Sequence, residues 1–198
     1  MTRPTRRNIL LGATAALATP TILRAQVQQY TAEDFGGSSG GENTRRNVSS
    51  FQRIDWRDHF DTLGLATIIC DTRSRALHYW NADGSDYRLY PTSVPMSEEL
   101  TRRGYSEIVR KKEQPSWTPT ADMRERTPSL PDRIDGGDPM NPLGTNAMYL
   151  DWPAYLIHGT HDTRKIGRRS SSGCIGLYNE KIQELYAITP IGTQVRLI

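Results

Sequence analysis

The chain has 198 residues, 36% hydrophobic and 24% charged, which suffices for one well-buried domain and falls short of two of ordinary size. Its net charge of +3 comes from the first 25 residues, where Arg3, Arg6, Arg7 and Arg24 meet no acid; from Gln26 onward 21 bases face 22 acids. That remainder lacks the field that gathers polyanions, so nucleic acid is excluded as the default partner, and no apolar run after residue 25 approaches the roughly 18 residues of a membrane span.

In chain order, Thr5-Arg6-Arg7-Asn8, an Ala-rich apolar run and the small residue Ala25 read as a bacterial export signal over residues 1–25. The Arg6-Arg7 pair resembles a twin-arginine signal, the type that carries folded cargo, and the expected location is periplasmic with no membrane attachment after cleavage. Residues 26–50 hold Gly36-Gly37-Ser38-Ser39-Gly40-Gly41 and no apolar cluster, so they read as a flexible linker ahead of a folded domain over residues 51–198. Within that domain residues 56–62 suggest a short helix. Residues 65–71 and 76–81 are β-rich, and Asn81-Ala82-Asp83-Gly84 is a hairpin turn into residues 87–90. Between residues 114 and 144 six prolines and Gly136-Gly137 forbid long regular elements, and a loop of that length is expected to be functional. Strands at 147–150 and 154–158, a helix at 179–187 with Ile182, Leu185 and Tyr186 at helical spacing, and a last strand at 194–198 complete a mostly β chain.

The reactive residue types concentrate between Tyr155 and Tyr178. A thiol attacks carbonyls as thiolate, and it needs an imidazole within reach and backbone N–H groups aimed at the developing oxyanion. Cys174, in the turn Ser171-Ser172-Gly173-Cys174, is the candidate nucleophile and His158, sixteen positions earlier, the candidate base. The amides of Gly173 and Cys174 are candidate oxyanion donors, and Arg168 and Arg169 could hold a substrate carboxylate while favouring thiolate. Cys70, in a strand, reads as a small buried hydrophobe, unpaired with Cys174. A zinc site of His158, His161 and Cys174 is the competing reading, but His-x-x-His misses the helical i, i+4 spacing and falls on strand and loop, so no metal is expected.

The segments Ile157-His158-Gly159-Thr160 and Ser171-Ser172-Gly173-Cys174-Ile175 together resemble the signature of the L,D-transpeptidase (YkuD-type) catalytic domain. The resemblance extends to residues 111–120, to Asn141-Pro142-Leu143-Gly144 and to Ile191-Gly192-Thr193-Gln194-Val195, and covers residues 63–198. It implies a β-sandwich-like domain with one flanking helix near the C-terminus, and acyl transfer on peptidoglycan stem peptides without a cofactor. Cys174 would form a thioester with the donor stem, and His158 would act as base and then acid with the Gly159 carbonyl orienting its ring. An amine of a second stem, or of an envelope protein, would resolve the thioester. Two positions depart from the family pattern: Ser172 stands where a second histidine is usual, and Gly176 where Arg or Asn is usual. The expectation is that Arg168 and Arg169, with Ser172 beside them, take over substrate recognition. The same Cys174 and His158 would also serve a thiol hydrolase or an acyltransferase of altered specificity, whereas a non-catalytic wall-binding protein would need neither.

Overall fold

The molecule is described by a computed structural model over residues 52–198, so the expected export signal at 1–25 and linker at 26–50 lie outside the described residues. Strand β1 (Ala66–Asp71) pairs antiparallel with β2 (Ala76–Asn81), which turns through Gly84 into β3 (Tyr87–Pro91). After the two-residue β4 (Val94–Pro95) comes β5 (Gly104–Glu113), then β6 (Asn146–Leu150) and β7 (Leu156–His158). Strands β8 (Arg169–Ser171) and β9 (Ile175–Gly176), helix α2 (Asn179–Ile188) and β10 (Gln194–Leu197) finish the chain. Eight strands form one mixed sheet in the order β3-β2-β1-β10-β5-β6-β7-β9, with parallel pairs at β1–β10 and β7–β9; β4 and β8 form a separate parallel pair.

The fold is mostly β with a helix near the C-terminus, as expected, but its layers are those of one curled sheet and not of two stacked ones. The curl shows in the backbone. Just past edge strand β3, Ser93 N–H donates to the Gly176 carbonyl (2.8 Å) and Gly176 N–H returns a bond to the Ser93 carbonyl (3.1 Å), so the chain leaving one edge meets β9 at the other. Inside the curl lie Ile68, Cys70, Leu77, Tyr79, Ile108, Met148, Ile157, Ile175, Leu177 and Val195, and α2 inserts Ile182 and Leu185. Strand β1 is buried on both faces, because Ile54, Trp56 and Phe60 cover Leu63, Ile69 and Trp80 on the outer side. The helix expected at 56–62 reduces to a single 3-10 turn, Trp56–Asp58, capped by the Asp55 side chain.

Helix α2 is held at its C-terminal end and at its middle. Lys111 Nζ donates to the carbonyls of Tyr186 (2.5 Å) and Thr189 (2.6 Å), placing a cation where unsatisfied carbonyls collect. Arg88 and Tyr90 of β3 both bond Glu184. The proline-rich stretch yields only the six-residue α1 (Ala121–Arg126) and is folded back by Asn141, whose Nδ2 donates to the carbonyls of Pro115 (2.7 Å) and Asp135 (2.9 Å). Strand β5, ten residues long, carries no apolar stripe. Ile108 is its one fully buried side chain, and pairing with β10 and β6 holds it in place.

Gly176 is kept small by space: a Cβ there would overlap Ser93 Oγ. Gly176→Ala is expected to cost about 1–3 kcal/mol. Adding Ser93→Ala should recover more than half of that loss in a chemical-denaturation double-mutant cycle. Simple additivity of the two substitutions would show that the sheet edges do not meet through this contact.

Candidate active site

The parallel pair β7–β9 sets the site. Its register aligns Ile157 with Ile175 and His158 with Gly176, and the Leu177 amide donates to the His158 carbonyl at 2.8 Å. Cys174 therefore sits just before β9 while His158 ends β7, and the imidazole Cε1 lies 3.9 Å from where a Gly176 Cβ would stand. Gly173, buried at φ +136, makes the turn into Cys174 in a conformation L side chains rarely adopt. The Ser171 hydroxyl ties the turn off by donating to the Cys174 carbonyl (2.6 Å) and accepting the Gly173 amide (3.4 Å).

Both titratable groups are desolvated. Burial pulls the His158 imidazole down to about 4, against a hydrogen bond to Gly159 and with a smaller push from Lys165 in the same direction. Burial pushes the Cys174 thiol up to about 11, partly offset by the Leu156 amide. Both shifts favour thiol and neutral imidazole over thiolate and imidazolium. His158 Nδ1 lies 2.5 Å from the Gly159 carbonyl oxygen. A carbonyl only accepts, so Nδ1 carries the proton and Nε2 presents its lone pair. The thiol itself donates to the Ala154 carbonyl at 3.4 Å, from a residue held at φ +60.

A strap between β4 and β5 runs beside this turn. Tyr155 donates its hydroxyl to the Leu100 carbonyl (2.9 Å) and accepts the Arg102 amide (3.1 Å), while its ring packs edge-on against Trp152 and over Gly173. Arg102 stacks on Trp152 at 4.4 Å. Glu98 of the strap receives Arg169 (2.6 Å) and Arg103 (2.7 Å), and the two guanidinium groups hold its carboxyl down at about 2.

Of the residues singled out from sequence, the structure gathers His158, Gly159, Gly173 and Cys174 at one end of β7–β9. Ser172 is half-buried in the same turn. Arg169 is engaged with Glu98, so it is not a free cation beside the thiol; Arg168 is exposed, with no side-chain partner among the described residues. His161 is exposed in the following loop, and among the described residues no three His, Cys, Asp or Glu side chains cluster closely enough to hold a metal. Cys70 lies buried in β1, and both cysteines are free. Sequence reasoning missed Ser171, Ser93, Tyr155 and the strap, because common polar or aromatic residues carry no signal until the fold sets them beside a cysteine.

The model of the L,D-transpeptidase catalytic domain, YkuD, matches residues 66–197. The chain belongs to this family. It is 59% identical over 186 residues to a Fuscovulum blasticum protein named for the L,D-transpeptidase family and for the ATP synthase subunits region that encodes it, covering 94% of this chain and 90% of that one. It is 35% identical over 136 residues to ErfK/SrfK of Escherichia coli K12, which is named for the same family; the match covers 66% of this chain and 43% of that protein, so the chain spans less than half of that relative. Two solved structures share the fold. L,D-transpeptidase 3 of Mycobacterium tuberculosis aligns with a TM-score of 0.53 at 15% identity over 68% of this chain and 61% of its own. The L,D-transpeptidase LdtMt1 in complex with imipenem aligns at 0.52 and 13% identity, over 68% and 59%. The chain is an L,D-transpeptidase-family enzyme, and among its described residues no helix is long and apolar enough to cross a membrane.

With the thiol at about 11, alkylation of Cys174 by iodoacetamide should be slow at pH 7 and rise about tenfold per pH unit towards that value. Buried Cys70 should stay unlabelled in the folded protein. Labelling followed by mass spectrometry reads both, and a rate already flat between pH 6 and 8 would mean a resting thiolate.

Proposed function

We propose that this enzyme acts in the cell envelope on peptidoglycan stem peptides, through a thioester on Cys174. The observation that carries the reading is the register of β7 on β9, which pairs the end of the His158 strand with the first residues after Cys174. The Cys174 sulfur attacks the carbonyl of the L-centred third residue of a donor tetrapeptide, usually a diaminopimelate, and its proton passes to His158 Nε2. The tetrahedral oxyanion is met by the Cys174 amide and by the Gly173 amide, whose 3.4 Å contact to Ser171 Oγ is long enough to be displaced by a charged acceptor. Collapse breaks the amide bond, and the imidazolium returns the proton to the departing amine of the terminal D-Ala. An acceptor amine, from a second stem or an envelope protein, then attacks the thioester and gives up its proton through His158, restoring the thiol. Because the pair rests neutral, proton transfer accompanies attack, and activity is expected to need His158 deprotonated, hence a rise above pH 4.

Substrate recognition falls to the arginines of β8 and its approach. Arg168, exposed, meets a stem-peptide carboxylate directly, Arg169 becomes available where substrate displaces Glu98, and Ser172, half-buried in the Cys174 turn, adds a hydroxyl. The Arg6-Arg7 leader supports a periplasmic location reached by the twin-arginine route.

Mature protein incubated with isolated muropeptides should yield dimers joined between two diaminopimelates, detected by mass spectrometry, and Cys174→Ala should yield none. Shortened monomers alone would mean that water resolves the thioester and the enzyme is a hydrolase. Unchanged muropeptides from the wild-type enzyme would refute both. Imipenem is expected to add its mass to the wild type and to Cys70→Ala but not to Cys174→Ala.

Arg168→Ala should lower kcat/KM for tetrapeptide donor roughly tenfold, the loss of one charge-assisted contact, while iodoacetamide labelling of Cys174 is unchanged. Parallel slowing of both reactions would assign Arg168 to the thiol and not to substrate.

A further inference from the structure

The backbone leading into the Gly159 carbonyl that orients His158 is gripped from several directions. The Leu177 amide holds the His158 carbonyl at 2.8 Å, and the Gly159 amide donates to the Asn146 carbonyl at 3.0 Å. On its open side Gly159 faces α2: a Cβ there would stand 3.1 Å from Ile182 Cγ2 and would overlap Asn179 Oδ1. The same oxygen accepts the Thr145 amide at 3.2 Å. It also fills the space a Cβ on Gly144 would need, and Gly144, at φ +61, is pressed so near that its Cβ would lie 2.6 Å from Thr160 N and 2.7 Å from Gly159 C. Asn179 is the first residue of α2, and the helix draws no side-chain cap from Tyr178 before it. An asparagine at that place ordinarily faces solvent or caps its own helix. Here it reaches back into a three-way junction of residues 144–145, 159–160 and α2.

We propose that Asn179 is a positioning residue of the active site: its side-chain oxygen, wedged between Gly144-Thr145 and Gly159, sets the rotation of the Gly159 peptide that aims its carbonyl at His158 Nδ1. Gly159 is the residue with the widest choice of backbone angles in the segment, so its carbonyl needs an external stop. Without one, the imidazole loses the acceptor that keeps its proton on Nδ1, and Nε2 ceases to be reliably the basic atom. The chain order makes the arrangement compact. Residues 174 to 179 deliver the nucleophile, pair β9 with β7, and then supply the side chain that fixes the orienting carbonyl. The inference rests on the proposed roles of Cys174 and His158, but its principal readout needs no substrate.

In the wild type, 15N spectra of selectively labelled histidine should show His158 as a single Nδ1–H tautomer. Asn179→Ala should give a mixture of tautomers and lower the rate of imipenem acylation roughly tenfold to a hundredfold, while iodoacetamide labelling of Cys174 at fixed pH stays within about twofold of wild type. Asn179→Asp keeps the acceptor and should keep the tautomer, and its new charge, set against Lys165 as the charge already acting on the ring, should move the His158 titration upward from about 4. A role in packing alone would lower Tm and leave the tautomer intact. An unaltered tautomer in folded Asn179→Ala overturns the proposal. If the alanine variant does not fold, an unaltered single tautomer in Asn179→Leu, which keeps the volume and removes the acceptor, overturns it instead. Failure of the Cys174 and His158 assignment would appear separately, as imipenem adducts surviving in Cys174→Ala with the tautomer result unchanged.

Discussion

Two backbone hydrogen bonds between Ser93 and Gly176 join the opposite edges of an eight-stranded sheet, and the site is built on that closure. An edge strand only two residues long, as β9 is, has little to hold it. It is fixed here by β7 on one side and by the chain leaving β3 on the other. Cys174 precedes β9 by one residue, so the position of the nucleophile follows from how tightly this short strand is clamped. The same contact accounts for Gly176, where the family commonly carries Arg or Asn: with Ser93 packed against it, a larger side chain needs Ser93 to turn away.

Burial then decides the chemistry that the clamped residues can perform. Desolvation raises the thiol and lowers the imidazole, so both shifts favour the neutral forms over an ion pair. A site of neutral groups depends on a base whose lone pair already points the right way. That places the weight on orientation, through the Gly159 carbonyl and whatever holds it, more than on the positive potential of nearby arginines. The arginines are in any case partly committed, since Glu98 of the strap lies between Arg169 and Arg103. A carboxylate from the protein already engages the Arg169 guanidinium.

The strap, the Trp152–Tyr155 pair and the turn around Gly173 form one contiguous layer beside the thiol. Its contacts are mostly backbone carbonyls and amides accepting or donating to single side chains, as with Tyr155 on Leu100 and Arg102. Contacts of that kind tolerate changes of side chain in the strap, so the residues between β4 and β5 can vary in sequence without moving Cys174. Glu98 and Arg102 are exceptions, because their side chains are what Arg169 and Trp152 meet.

By itself the sequence determined the elements that depend on local pattern. The β-rich strands β1 to β3, the amphipathic α2 and the failure of residues 114–144 to form long elements follow from apolar and β-branched runs, turn residues and prolines. His158, Gly173 and Cys174 were legible too, because thiol, imidazole and a glycine turn within sixteen positions are rare together and match a family signature. Strand β5 was not legible: its charged residues show no period, and only pairing with β10 and β6 makes it a strand. Nor was the single curled sheet in place of a sandwich, since closure depends on Ser93 and Gly176, 83 positions apart and unremarkable in type. The tertiary structure alone decided that Arg169 faces Glu98, that burial pushes the thiol up and the imidazole down, and that Asn179 reaches back to Gly159. Each of these is a property of distance and desolvation between segments far apart in the chain, and residue identity carries no record of either.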